Sequence, residues 1–464
     1  MVEACRCLVS LTDIDVVDDY GQSKVEPVAS RTRSALRKML VSASGTVLLQ
    51  GGSLVMGFAT AVLLARLLGA EGYGRYVFAF AWASLLTIPA LLGFDRFLVR
   101  GFATYEVERK WQLIKGLLRR TNQIVLLTSG LTMGLGWLVA IVWLAGPLRW
   151  PFCVAMMLVP LTTLTLVRQG AMQAIGRIVS GQLPEFLIRP ALILAGIGAL
   201  ELVGHRALTP TTALAMNVAG VAIACLIGAL LLRRALPAAI SSAQPRYATR
   251  AWLRASLPMM LISGIWMANN YCMILIVGTL DGSRAAGVYS VIQKGAELIV
   301  VLLIAANMPL APAIARMYAR GDRQGLEHVT ERIARVTLLM SAPVAVAFMI
   351  FSGAYLGIFG ASFRSGATGL TILAFGQLFN AVAGPAGNVL LMTGHERAAV
   401  KGMGVGLFAN VVLGIALVPI LGVTGGAIAF AVSLVLWNTM LVIIARRRVG
   451  VNVTAFRGLA MESG

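Results

Sequence analysis

The stretch ARLLGAEGYGRYVFAFAWASLLTIPALLGFDRFLVRGFA, residues 65–103, decides how the rest of the chain is read. From Tyr76 to Phe94 no charged residue interrupts it. At 1.5 Å per residue, a helix of that length matches the roughly 30 Å hydrocarbon core of a bilayer. A helix is also the form such a run takes in lipid, because it satisfies its own backbone hydrogen bonds. The run is entered through a glycine-marked turn (Gly69, Gly72, Gly74) and left through Asp95, Arg96 and Arg100. The spacing therefore predicts one membrane span over 76–94.

Working outward, runs of the same kind recur at about 45–65, 122–145, 151–167, 184–204, 211–232, 257–279, 288–312, 336–359, 367–392, 402–421 and 422–445, which makes twelve. Helix kinks are expected where Pro falls inside them, at Pro89, Pro160, Pro190, Pro343 and Pro385. The composition agrees: 58% of the 464 residues are hydrophobic and 12% charged, with a mean hydropathy of +0.83. A soluble domain carries about 25% charged residues, so an ordinary soluble protein is excluded and an all-α polytopic membrane protein is expected. The five cysteines show no CxxC and no zinc-type spacing, and read as small hydrophobes.

Charge fixes the orientation, because short cytoplasmic loops retain Lys and Arg. With the amino terminus inside, the inner segments hold 31 of the 39 basic residues and the outer loops hold six. Both termini are then cytoplasmic. The same asymmetry accounts for the net charge of +20: clusters such as Arg119-Arg120, Arg233-Arg234 and Arg446-Arg447-Arg448 end helices at the inner face, where anionic lipid headgroups are their partners. No nucleic-acid partner is needed to explain them. Residues 1–44, acidic at first and basic before the membrane, read as a disordered cytoplasmic tail, and 446–464 as a basic cytoplasmic tail.

The quoted stretch also has a copy. Sliding the sequence by 213 residues places Gly69-x4-Gly74-x-Tyr76 on Gly282-x4-Gly287-x-Tyr289, each after the first of six spans. The same offset pairs Gly51 with Gly264, Tyr105 with Tyr318 and Arg119 with Arg332. The expected organisation is two parallel six-helix lobes, 45–232 and 257–445, joined by the cytoplasmic linker 233–256, which has two Pro, five Arg and no acid. Transporters built from parallel repeats hold substrate between the lobes and rock one against the other.

Residues 65–103 resemble the amino-terminal region of the bacterial polysaccharide-biosynthesis exporters. These are the oligosaccharide-lipid flippases of the multidrug/oligosaccharidyl-lipid/polysaccharide (MOP) exporter superfamily. Residues 388–448 resemble that family's closing region, with a basic turn, two spans joined by a G-x-x-G-G turn (Gly422, Gly425, Gly426) and a basic stop. The resemblance covers all twelve spans. It implies a MATE-like carrier, similar in fold to multidrug exporters, that turns a polyprenyl-diphosphate-linked oligosaccharide from the cytoplasmic to the outer leaflet of the bacterial inner membrane during lipopolysaccharide or exopolysaccharide synthesis. It also implies membrane lipids and other polysaccharide assembly proteins as surroundings, with no cofactor.

An ionisable group inside a span is costly and marks a wet cavity or a partner. Glu185 and Arg189 are spaced i, i+4 in one span, and Lys294 and Glu297 i, i+3 in another. Amides cluster at Asn269 and Asn270 and at Gln377, Asn380 and Asn388, with Asn217, Asn307 and Asn410 elsewhere in the spans. In one reading Arg189 and Lys294 offer positive charge to a diphosphate, Glu297 and the amides contact sugar, and Arg96 and Arg100 form a cytoplasmic mouth that draws in an anionic headgroup. In the other, the charges are internal ion pairs, Arg189 or Arg96 anchors a helix end, and the amides knit helices together.

Other chemistries find little support. His205, His328 and His395 are expected in loops and unpaired; there is no GxxxxGK[ST] phosphate loop and no nucleophile-base set, so no enzyme activity and no metal site is expected. A cation-coupled drug exporter calls for a carboxylate in the first lobe, and spans 1 to 4 hold none. A glycan polymerase calls for a long outer loop, and the longest is about ten residues, far short of a catalytic platform. A membrane scaffold of a polysaccharide assembly complex stays open as an alternative.

Overall fold

A computed structural model describes residues 26–144, 146–203, 208–307 and 310–456. Every regular element among them is helical. In chain order these are α1 (Glu26–Leu91), α2 (Phe94–Val107), α3 (Trp111–Val142), α4 (Arg149–Met156), α5 (Leu158–Ala174), α6 (Ile178–Leu183), α7 (Arg189–Val203), α8 (Pro210–Ala235), α9 (Ala238–Ser242), α10 (Thr249–Leu280), α11 (Ser283–Asn307), α12 (Leu310–Ala319), α13 (Arg323–Ile350), α14 (Ser352–Phe359), α15 (Ala367–Ala383), α16 (Ala386–Met392) and α17 (Glu396–Val449). By contacts the chain divides into Met1–Gly45 and Thr46–Gly464. In the first unit, the tail expected to be disordered is helical from Glu26, and residues 1–25 lie outside the described residues.

Among the described residues nine helical stretches are long and apolar enough to cross a membrane. Two of them, Leu48–Val107 and Glu396–Val449, each contain two of the expected runs. Single glycines separate those runs: Gly69 (φ 66°, ψ 175°) in α1 and Gly422 (φ 56°, ψ −134°) in α17 leave the helical region in conformations that L side chains resist. Of the prolines expected to kink helices, Pro385 lies at a true break beside Gly384 (φ 69°), and Pro190 follows a π-helical turn, Pro184–Ile188. His328 lies within α13 rather than in a loop, and His395 precedes α17 with a ring nitrogen 3.1 Å from the Thr393 hydroxyl. His205 lies outside the described residues.

The 213-residue repeat has a geometric counterpart. Gly282 has φ 91°, so it plays the same backbone part after α10 that Gly69 plays within α1. Further along, a Cβ on Gly74 would strike the Ser283 carbonyl, and a Cβ on Gly287 would strike the Ala70 carbonyl. Residues 70 and 283, and 74 and 287, are equivalent at the repeat offset. The contact is therefore reciprocal, as across a local two-fold axis, and only glycine lets the backbones meet there.

Packing differs between the two ends of the unit formed by residues 46–464. Near Gly69 and Gly282 one continuous core takes buried residues from both halves of the sequence, among them Tyr73, Phe78, Val221, Tyr289, Phe363 and Leu434. At the end rich in Arg the core is divided. One cluster holds Phe94, Phe102, Leu117, Ile240 and Trp252, and another holds Leu310, Leu326, Val389, Leu441 and Val453. Helix α10 serves both sides, meeting α2 on one side and α17 on the other. The linker is ordered along α3 and α2: the Arg246 N–H donates to the Gln112 carbonyl of α3 at 3.0 Å, and Trp252 Nε1 donates to the Tyr105 hydroxyl of α2 at 3.0 Å. The stretch after α17 is not a loose basic tail throughout. Val451, Val453 and Ala455 are buried, and Ala455 N–H donates to the Val382 carbonyl at 3.0 Å.

Candidate functional site

Two ion pairs sit on helices from opposite halves of the sequence. At the first, the π turn Pro184–Ile188 delivers Glu185 and the start of α7 delivers Arg189, and the two side chains bond directly. The guanidinium also donates to Asn217 Oδ1 on α8 at 2.9 and 3.2 Å and lies 5.9 Å from the centre of the Phe80 ring. Asn217 in turn donates to the Tyr76 hydroxyl at 2.8 Å. With only 15% of its side chain exposed, Arg189 is neither a lipid-facing anchor nor a free cation. Its charge is already taken up.

The second pair differs. On α11, Lys294 Nζ donates to Glu297 Oε2 at 3.0 Å, and the two side chains remain 40% and 41% exposed. Three tyrosines lie within reach of the Lys294 charge. Tyr73, with its hydroxyl beside Ser290, and Tyr271, with its hydroxyl beside Ser84, both feel its charge, as does Tyr76. The Arg189 charge reaches Tyr76 and Tyr271 as well. The two cationic residues named from the sequence therefore converge on one tyrosine cluster, contributed by α1 and α10.

The amides divide into groups. Asn410 on α17 donates to Asn269 Oδ1 on α10 at 3.4 Å, which ties two helices together. Asn270 donates to the Trp266 carbonyl and receives, at its own carbonyl, Gln293 Nε2 from α11 at 2.7 Å. Asn380 donates to Gln377 within α15 at 3.1 Å. Asn388 is half-buried on α16, and Arg96 and Arg100 are exposed on α2. No contact recorded among the described residues links these last three, or the Gln377–Asn380 pair, to Lys294. Of the amides, Asn270 comes nearest in the fold to the second pair, through its bond to Gln293, the residue before Lys294. These side chains mostly complete helix packing, as polar groups between membrane helices do.

The sequence reading missed the aromatic residues. Tyr73 stacks with Tyr76, Tyr76 with Phe80, and Phe80 meets Tyr271 edge to face, with ring centres 6.1 to 6.3 Å apart. Phe58, Tyr355, Phe359 and Phe363 continue the cluster toward the Gly69 end. Periodicity within one helix does not reveal such a chain, because its links join helices far apart in sequence. The glycine-tyrosine repeat, which contains Tyr73 and Tyr76, was its one visible trace. An apolar recess lined by Pro343, Val344, Ala347, Phe348, Phe351 and Tyr355 contains neither cation. Among the described residues no three His, Cys, Asp or Glu side chains are grouped to hold a metal ion.

Chemically, this centre pairs one exposed ammonium and carboxylate with a hydroxyl-bearing aromatic wall. Comparison with known proteins bears on what it handles. Residues 40–318 match the family described as polysaccharide biosynthesis protein, and residues 258–417 match MatE. Curated relatives include an uncharacterized membrane protein of Methanocaldococcus jannaschii, 23% identical over 175 residues that make up 36% of this chain and 34% of that protein. Another is a probable low-salt glycan biosynthesis flippase of Haloferax volcanii, 22% identical over 169 residues, 36% of each chain. The chain thus spans about a third of the length of the curated relatives it matches. Among solved structures, a multidrug resistance MATE family transporter of the MOP superfamily in an inward-facing conformation is similar with a TM-score of 0.70. It is 14% identical, with 86% of this chain and 94% of that one covered. The lipid II flippase MurJ, in an inward closed conformation, is similar with a TM-score of 0.66 at 12% identity, with 88% and 87% covered. At these identities the likeness is one of fold.

Proposed function

Because the chain belongs to the polysaccharide biosynthesis protein family, we propose that it is a flippase that moves a polyprenyl-diphosphate-linked oligosaccharide across the membrane, with Lys294 holding the diphosphate. The observation that carries this reading is the half-exposed Lys294 ammonium, next to the tyrosine cluster contributed by both halves. An ammonium gives a phosphate a charge-assisted hydrogen bond, roughly twice as strong as a neutral one. Lys294 gives up one N–H to Glu297 and keeps two for a ligand. A diphosphate competing for it would loosen the Glu297 contact, so that substrate binding and the state of the pair are linked.

The proposed direction is from the cytoplasmic to the outer leaflet, with both termini and the arginine-rich end inside. The divided core at that end and the shared core near Gly69 and Gly282 support a carrier open inward and sealed outward. Turnover then requires the Gly74–Gly287 contact to part while the arginine-rich end closes, the rocking of two repeats expected for this architecture. An anion leaving a cell that is negative inside gains about 2.3 kcal/mol per charge per 100 mV, so the potential favours the proposed direction.

The MATE likeness raises a second reading, export of cationic drugs. A cationic substrate calls for an available carboxylate, and both carboxylates of this centre, Glu185 and Glu297, are engaged by a basic partner. The deciding experiment reconstitutes the protein in vesicles. The account expects a fluorescent polyprenyl-diphosphate oligosaccharide to change leaflets at a rate raised by an inside-negative potential, with no efflux of a cationic dye. Dye efflux without glycan movement would replace the proposal with the exporter.

A further inference from the structure

Within the aromatic chain, most rings are closed off: Tyr73, Tyr76, Tyr355, Phe359 and Phe363 are buried. Phe58 packs against Tyr355 and Phe359, and Phe348 against Tyr355. Phe80 is half-buried, but Arg189 lies over its ring, Tyr76 stacks with it and Tyr271 meets it edge to face. Tyr271 stands apart. Its ring is half-buried, its one ring partner in the chain is Phe80 at 6.3 Å with the planes 66° apart, and its hydroxyl is beside Ser84. The Asn270 carbonyl, next to Tyr271 in the chain, accepts from Gln293, the residue before Lys294, at 2.7 Å, and Arg189 lies over the Phe80 ring that Tyr271 meets. Tyr271 sits on α10, the helix that packs with both halves.

We propose that Tyr271 is a sugar platform, on which the pyranose nearest the diphosphate lays its carbon–hydrogen face while Lys294 holds the phosphates. This rests on the flippase reading and adds where and how the sugar is recognised. A tyrosine ring is a rigid apolar surface with a negative face and a polar tip. A pyranose offers the complement, a face of polarised C–H groups ringed by hydroxyls. The acceptor for those hydroxyls is also present: Lys294 engages Glu297 through Oε2, and Oε1 of the half-exposed carboxylate is left to accept. One cation, one aromatic face and one carboxylate oxygen match the groups of a diphosphate that carries a sugar. A bare phosphate or a lipid headgroup would use only the first of them.

The test measures binding of two probes to the full chain in nanodiscs, undecaprenyl diphosphate and undecaprenyl diphosphate bearing one N-acetylglucosamine. The wild type is expected to bind the sugar-bearing lipid about 2- to 12-fold more tightly, the range an aromatic contact of about 0.5–1.5 kcal/mol provides. In Tyr271→Leu that ratio falls to what the Glu297 contact alone supplies, whereas Tyr271→Phe, which keeps the ring, retains it. A wild-type ratio of one overturns the platform without any variant having to fold, and so does a ratio undiminished in Tyr271→Leu. Failure of the flippase reading registers differently, as no binding of bare undecaprenyl diphosphate by the wild type, and it would overturn the platform as well.

Discussion

The two ion pairs look alike in the sequence and behave differently in the fold. Glu185–Arg189 and Lys294–Glu297 each place opposite charges one helical turn apart, in equally apolar surroundings. Yet Arg189 is held by Glu185, by Asn217 and by the face of Phe80, with 15% of its side chain exposed, while Lys294 has one ionic partner and 40% exposed. The difference lies in what surrounds each pair. Asn217 and Tyr76 extend the first into a network that joins α8 to α1, whereas the second keeps two-fifths of each side chain exposed. One pair ties helices together, and the other is the pair to which the proposed function assigns a ligand.

Stability measurements distinguish the two pairs. Arg189→Ala leaves Glu185, 18% exposed, without its cation, and its buried Oε2 already has no partner. The expected loss is about 3–5 kcal/mol, that of breaking a buried pair from one side, read as a lower melting temperature in detergent. Lys294→Ala removes a half-exposed pair, and the same melt should fall by no more than about 1 kcal/mol. Equal losses would erase the distinction. Smaller still is Asn410→Ala, which removes the bond to Asn269 between α17 and α10. A membrane interhelical hydrogen bond is worth about 0.6 kcal/mol, so a slight drop in melting temperature with transport retained is expected.

What the sequence revealed, and what it hid, follows the range of the interactions involved. Both ion pairs were legible because partners three or four residues apart on a helix must meet. The turns at Gly69 and Gly282 were legible because the repeat marks them with glycine, and the structure gives both positive φ. The partition of roles between Arg189 and Lys294 was not legible, since Asn217 lies 28 residues from Arg189 and 141 from Tyr76. The same holds for the wall of Tyr76, Phe80 and Tyr271, whose apolar rings resemble any lipid-facing residue until the helices are packed. Charge misled in two places. The basic residues of 31–38 and 446–448 drew attention from a helix that begins at Glu26 and from Val451, Val453 and Ala455, which are buried. The partners of the amides were hidden by distance along the chain, because Asn269 meets Asn410 from a helix 141 residues away, whereas Asn380 meets Gln377 within one turn.

If Lys294 is the charge that holds the diphosphate, binding of undecaprenyl diphosphate in nanodiscs must differ between wild type and Lys294→Met. Losing a hydrogen bond to a charged group costs about 1.5–3 kcal/mol, so the account predicts an affinity about 10- to 150-fold weaker in the variant. Undiminished affinity in a folded Lys294→Met protein would contradict it.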